Sequence, residues 1–238
     1  MKVRSHSYTR IINERYVKLD DGRFFGLLKR DNIGLKSQLE YLIESEKNNK
    51  PFYRSYGSID YFVKKLRNDE LGETPPERFV NSVIIDDYIN ERCGGTKVIT
   101  PVGIIYEGRP LNLLESGMLN AYFISYYVKG EKLFHLIKRL DEDKMEKIFR
   151  SLNLNLNALR EKRLYLLDFA PRDIVIDDNG AAVLLDMEHL EFANSFDRKK
   201  QDEFLLARQK REFHKDYDGF LNKEQLKKAE ILLFNEIK

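Results

Sequence analysis

Three aspartates carry the most explicit chemistry in this sequence. In the stretch LYLLDFAPRDIVIDDNGAAVLLDME, residues 164–188, Asp168 closes an apolar run, Asp173 follows five residues later, and Asp186 ends a second apolar run. Between Asp173 and Asp186, the short aliphatic runs 174–176 and 181–185 flank Asp177, Asp178, Asn179 and Gly180. Asn-Gly between such runs predicts a β-hairpin, because both residues accept positive φ. Antiparallel pairing then puts Asp173, at the start of one strand, near Asp186, at the end of the other, with Asp168 on the loop just before. Three carboxylates crowded together repel one another unless a cation neutralises them. An all-oxygen ligand set suits Mg²⁺, which usually shares its sites with phosphate. The competing reading is chance, since Asp is common at loop starts and turns.

The spacing of these residues resembles that of the protein-kinase-like superfamily. There, a catalytic loop carries a base Asp, a metal-binding residue five positions on, and a second metal Asp after a hairpin. Leu159, nine residues before Asp168, matches the Leu that ends the preceding helix in that pattern, and Pro171 and Asp186-Met187-Glu188 look most like the bacterial lipopolysaccharide core heptose/Kdo kinase group. The sequence departs from the pattern at three places: Leu166 stands where a His is usual, Asp173 where an Asn is usual, and Ala170 where protein kinases place a Lys, with Arg172 the nearest cation. The missing Lys argues against an ordinary Ser/Thr protein kinase. The resemblance implies ATP and Mg²⁺ as cofactors, Asp168 as the catalytic base, and Asp173 and Asp186 as metal ligands.

The elements that must position these groups are legible in order. Residues 1–35 read as β-rich, with a hairpin around Asp20-Asp21-Gly22, and residues 36–47 have the i, i+3, i+4 spacing of a helix. A second strand pair covers 52–66, with Gly57 the single glycine available to a phosphate loop. The run Tyr61-Phe62-Val63-Lys64 resembles the kinase strand that presents a Lys to nucleotide phosphates, a task for a compact point charge. Lys65 falls on the other face by the period-two rule. An exposed Lys on an edge strand is the alternative. Residues 77–92 form a helix in which Glu77, Asp86, Asp87 and Glu91 are candidates for the acid that pairs with Lys64; Asp86 lies nearest the expected place. A solvated helix face accounts for them equally well.

Cys93-Gly94-Gly95 stops that helix, and a strand is expected from Val98, with Pro101 near its start. A strong β run over 119–128 leads through a short linker into a helix at 133–140, the order expected at a hinge between lobes. By the same resemblance, backbone groups near Ser125, Tyr126 and Tyr127 would bind adenine. Residues 141–162 form a long helix; the embedded LNLNLN alternates like a strand, but the apolar positions on both sides continue a helical stripe. After Glu188 there is no long activation segment and no A-P-E motif, and the chain runs quickly into a charged helix over 196–211. Without that platform for a peptide, a small molecule or sugar is the favoured acceptor. The final helix opens on the capping box Asn222 and Gln225.

Composition sets the outer limits. In 238 residues, 42% hydrophobic content suffices for a core, and a net charge of +2 does not call for nucleic acid as a partner. One cysteine excludes a disulfide framework and a zinc cluster, and four scattered histidines offer no metal site. No window approaches the ~20 apolar residues of a membrane span, and the first residues lack the apolar core of a signal peptide.

The expectation is therefore an α+β, two-lobed, protein-kinase-like fold, with a β-rich N-lobe over 1–125 and a mainly helical C-lobe over 126–238. Its expected activity is ATP-dependent phosphotransfer to a hydroxyl, in the cytoplasm. The resemblance implies that the acceptor is a sugar or glycolipid, such as a lipopolysaccharide core heptose, reached by peripheral contact with the inner membrane face. An atypical Ser/Thr protein kinase and a pseudokinase acting as a binding module are the alternatives.

Overall fold

Apolar runs around an Asp-Gly turn build a hairpin near the start of the chain, aliphatic runs around Asn-Gly build another in its second half, and long amphipathic stretches there build helices. The computed structural model describes residues 6–47, 53–56, 59–66, 75–92, 97–108, 120–186, 189–193 and 197–234. In chain order the elements begin with α1 (His6–Arg15), β1 (Tyr16–Asp20), β2 (Phe24–Lys29), a 3-10 segment (Arg30–Gln38) and α2 (Leu39–Lys47). Next come β3 (Tyr53–Tyr56), β4 (Ile59–Leu66), α3 (Pro75–Arg92), β5 (Lys97–Val98), β6 (Pro101–Glu107) and β7 (Asn120–Tyr126). They continue with β8 (Gly130–Lys132), α4 (Leu133–Leu136), a 3-10 turn (Ile137–Arg139), α5 (Glu142–Glu161) and β9 (Leu164–Leu166). A 3-10 turn (Pro171–Asp173), β10 (Ile174–Asp177), β11 (Ala182–Leu184), β12 (Leu190–Phe192), α6 (Arg198–Tyr217) and α7 (Lys223–Phe234) complete the chain.

The chain divides into two compact units, residues 1–84 with 100–127, and residues 85–99 with 128–238. Beside the expected boundary at 125/126, the division falls at 127/128, and residues 85–99 join the second unit. The expected α+β class, sheet-rich first and mainly helical second, is what the chain adopts.

The first unit is a six-stranded antiparallel sheet in the order β1-β2-β6-β7-β4-β3. One face packs Leu39, Leu42 and Ile43 of α2 against Val63, Val102, Ile105 and Ile124. On the other side, Phe79 of α3 lies edge-on to Tyr16 at 5.3 Å and to Phe123 at 6.3 Å. A buried Asn32, at a kink in the 3-10 segment, joins two strands: its Nδ2 donates to Tyr61 Oη at 3.0 Å and its Oδ1 accepts from Tyr126 Oη at 2.9 Å. α1 departs from the expected β-rich start. Its apolar residues are few, Tyr8, Ile11 and Ile12 at helical spacing, among polar neighbours that include the pair Arg10 and Glu14, one turn apart.

The second unit holds the four-stranded sheet β5-β11-β10-β8 and the pair β12-β9. β8 was not expected from sequence, since its three residues are exposed and gain their strand character by pairing with β10. Gly130 makes that pairing achievable: at φ +154°, a Cβ would lie 2.2 Å from the Ile176 carbonyl oxygen. The LNLNLN run is helical within α5, and Asn155 in it, with Ser151 just before it, serves β11. Ser151 Oγ accepts from the Ala182 amide and Asn155 Nδ2 donates to the Ala182 carbonyl, both at 3.0 Å. Asn222 and Gln225 form the reciprocal capping box at the start of α7, at 2.9 and 3.0 Å.

Candidate active site

The residues around Asp173 and Asp186 are held by a short ladder. Ile174 pairs with Leu184, Val175 with Val183 and Ile176 with Ala182. The Leu185 amide donates to the Asp173 carbonyl at 2.8 Å, which extends the ladder by one step. Asp173 and Asp186 therefore lie at the same end of the hairpin. At the other end, Gly180 takes φ +80°, and Asp177 Oδ1 accepts from the amides of Asn179 (2.9 Å) and Ala181 (3.0 Å), closing a three-residue turn with its glycine in the left-handed region. Pro171 starts the 3-10 turn, where its missing N–H costs nothing, and the Asp173 amide closes the turn on the Ala170 carbonyl at 2.8 Å.

Asp168 is half-buried between two buried neighbours, Leu167 and Phe169. Strand pairing reaches Leu166, opposite Leu190, and among the described residues none continues through 168–172. The Leu167 amide donates to the carbonyl of His189, a residue at φ +64°. The Leu166 carbonyl accepts from Gln209 Nε2 at 2.6 Å and the Phe169 carbonyl from Tyr217 Oη at 3.2 Å. Both donors belong to α6. Sequence reasoning missed them, although a signal was present. Leu205, Gln209, Phe213 and Tyr217 recur every four residues, one apolar stripe interrupted by an amide. An amide buried on such a stripe needs a specific partner.

Charge around the loop is mixed. Arg172 Nε lies 3.2 Å from Asp173 Oδ2. The Arg172 guanidinium is held above its usual pKa chiefly by Asp173, with Asp168 and Asp216 adding to it. Burial, and then the charge on Asp168, push the Asp216 carboxyl up to about 6. Among the described residues, no three His, Cys, Asp or Glu side chains gather as a metal site. The three aspartates therefore do not form the expected three-carboxylate cluster; on the turn before the hairpin, Arg172 pairs with Asp173. Two carboxylates at one hairpin end still fit Mg²⁺, which is commonly held by one or two carboxylates plus substrate phosphates.

The remaining expected residues fall as follows. Lys64 is half-buried and registers with Phe123, on the sheet face that meets Phe79 of α3; Lys65 registers with the buried Tyr122, on the opposite face. Asp86 and Asp87 are buried, with Asp86 Oδ1 accepting from Asn90 Nδ2 at 2.7 Å, whereas Glu77 and Glu91 are exposed. The Tyr126 amide donates to the Thr100 carbonyl at 3.1 Å and the Tyr127 amide to the Asp60 carbonyl at 2.9 Å. Both amides are thus engaged within the first unit. Gly57, Met187 and Glu188 lie outside the described residues.

No family model matches the chain. No curated protein matches it either. Among solved structures, the chain is similar to the kinase PK-1 of the Cydia pomonella granulovirus, at 13% identity and a TM-score of 0.45, over 94% of this chain and 78% of that one.

Proposed function

We propose that the chain is an ATP-dependent phosphotransferase acting on a hydroxyl, and that residues 164–186 carry its chemistry. The observation that supports this is one local arrangement: a half-buried Asp168 on a loop whose backbone is held, followed by Asp173 and Asp186 at one end of a hairpin. Asp168 takes or orients the acceptor hydroxyl proton. Asp173 and Asp186 supply carboxylate oxygens for Mg²⁺. When bound, Mg²⁺ neutralises charge on the β- and γ-phosphates. Little covalent work falls to the protein in such a transfer, so positioning and charge stabilisation dominate. Lys64 is proposed separately as a cation for the α- and β-phosphates, and Asp86 as its acid; Lys64→Met should weaken MgATP binding.

For the acceptor, we propose a sugar of lipopolysaccharide core or a similar glycan, reached by peripheral contact with a membrane surface. Support comes from the sequence resemblance and from the brevity of the segment after Asp186: eleven residues, 187–197, separate it from α6. Among the described residues, no helix is long and apolar enough to cross a membrane. The test is incubation with γ-labelled ATP, Mg²⁺ and either core oligosaccharide or protein acceptors. Label is expected on the sugar, and Asp168→Asn should lower the rate about 10²–10⁴-fold. Label on protein alone would favour an atypical Ser/Thr protein kinase and overturn the glycan assignment.

A second reading, a pseudokinase binding module, draws on the Arg172–Asp173 ion pair and the engaged amides of Tyr126 and Tyr127. Thermal shift separates the two. A ligand at a hundred times its Kd stabilises by about 2.7 kcal/mol, which for a chain of this size is a rise of roughly 5–11 °C. The phosphotransferase requires that rise with MgATP, and its absence would leave the binding module.

A further inference from the structure

Helix α6 lies outside the loop and hairpin that carry the proposed chemistry, yet it reaches the loop at two points. Leu166, Leu167 and Phe169 are all buried, with exposures of 0%, 3% and 1%. Buried main-chain carbonyls need partners, and among the described residues the β9–β12 pairing stops at Leu166, before Asp168. Gln209 and Tyr217 supply them instead. Eight residues separate the two donors, which on a helix is a rise of ~12 Å. Three residues separate the two carbonyls, which in extended chain is ~10 Å. Both contacts are made, at 2.6 and 3.2 Å.

Both donors are themselves fixed. Arg160 Nε can only donate, and it donates to Gln209 Oε1 at 2.9 Å. That contact turns the amide so that Nε2 faces the Leu166 carbonyl. The Tyr217 ring is buried against Phe213, Phe149 and Phe169, with centroids 4.6, 5.7 and 6.3 Å away. Burial holds its phenol far above the usual pKa, so it remains a donor throughout the working range.

We propose that α6 sets the position of Asp168, with Gln209 and Tyr217 as positioning residues that clamp the carbonyls of Leu166 and Phe169 on either side of it. This rests on the assignment of Asp168 as the base. Neither residue touches substrate. Their effect is on the geometry of the attack, where a misplacement of about 1 Å costs on the order of 10²-fold in rate.

The test uses the full chain and two variants. Tyr217→Phe removes only the hydroxyl. Gln209→Glu keeps the acceptor for Arg160 but has no donor for the Leu166 carbonyl. Two quantities are read: amide hydrogen exchange in a peptide covering residues 167–173, and the kcat and KM for MgATP in the labelled-ATP assay. Each variant should exchange about tenfold faster in that peptide and lose about ten- to a hundredfold in kcat, with KM for MgATP within twofold of the parent. Ile148→Val, a packing change in α5, should lower the Tm and move neither quantity. Unchanged exchange or unchanged kcat in both variants overturns the proposal. If Tyr217→Phe does not fold, Gln209→Glu decides on the same criteria. If the parent chain transfers phosphate to no acceptor while loop exchange still accelerates in both variants, the clamp stands and the phosphotransferase assignment falls.

Discussion

In the first unit, buried polar groups serve a sheet that already has its own ladder. Asn32 ties Tyr61 to Tyr126, and those strands also pair directly, Tyr61 opposite Tyr126. In the second unit, Gln209 and Tyr217 serve a stretch along which, among the described residues, the ladder stops at Leu166. The chemical demands are similar, since each case satisfies a buried polar atom. The structural consequences differ. Loss of Asn32 would leave the β4–β7 register in place, because the main chain fixes it. Loss of the α6 donors would leave the loop's own carbonyls orphaned. Where the ladder stops, side chains from a helix take over the backbone's role.

This contrast can be broken in four ways. The largest effect should come from Phe213→Ala. The ring is fully buried, stacks on Phe169 at 6.3 Å and meets Phe149, Tyr217 and Phe234. Its removal should cost about 3–5 kcal/mol, a fall in Tm of roughly 6–20 °C, and should speed exchange in the peptide 167–173. Asn32→Ala should cost about 1–3 kcal/mol, read as a lower denaturant midpoint at constant slope. Exchange in the loop 167–173 should stay unchanged, and faster exchange there would break the contrast.

The third test concerns pH. Asp216 is raised to about 6, first by burial and next by Asp168. An acid raised in the folded state binds its proton longer there than in the unfolded chain. Stability therefore falls as pH climbs from about 4, the unfolded value, through about 6, and stays lower above that. Asp216→Asn should be more stable than the parent above pH 6, and the gap should close below about pH 4, as followed by Tm. The difference should be modest, because the carboxyl is half-exposed and solvent screens it. The smallest effect is expected from Asn222→Ala, which removes one half of the capping box for about 1 kcal/mol, or roughly 2–4 °C, and should leave the loop untouched.

Much of this architecture is legible in the residues. The β10–β11 hairpin follows from Asn-Gly between aliphatic runs, and α5 from apolar residues that continue a helical stripe through LNLNLN. The elements that escaped are those whose shape depends on a neighbour. β8 is three exposed residues shaped by β10. β12 pairs with β9 across a long gap in sequence. α6 continues to Tyr217, beyond the expected end at Arg211, because its last turns are anchored to the loop by Phe213 and Tyr217. Within the site, the shared hairpin end of Asp173 and Asp186 followed from local spacing. The gathering of Asp168 with them did not, nor did the Arg172–Asp173 ion pair, because ion pairing within a turn depends on side-chain direction. Gln209 and Tyr217 act across more than forty residues, so no local window connects them to Asp168.

One glycine bears on how substitutions in this chain should be read. At residue 130 the backbone angle excludes ordinary side chains, and the nearest obstacle is the oxygen of Ile176, a main-chain atom that cannot swing aside. Even alanine there would force β8 away from the strand that follows the loop. A variant library would register that position as a defect of the hairpin, although the altered letter lies more than thirty residues upstream of Asp168.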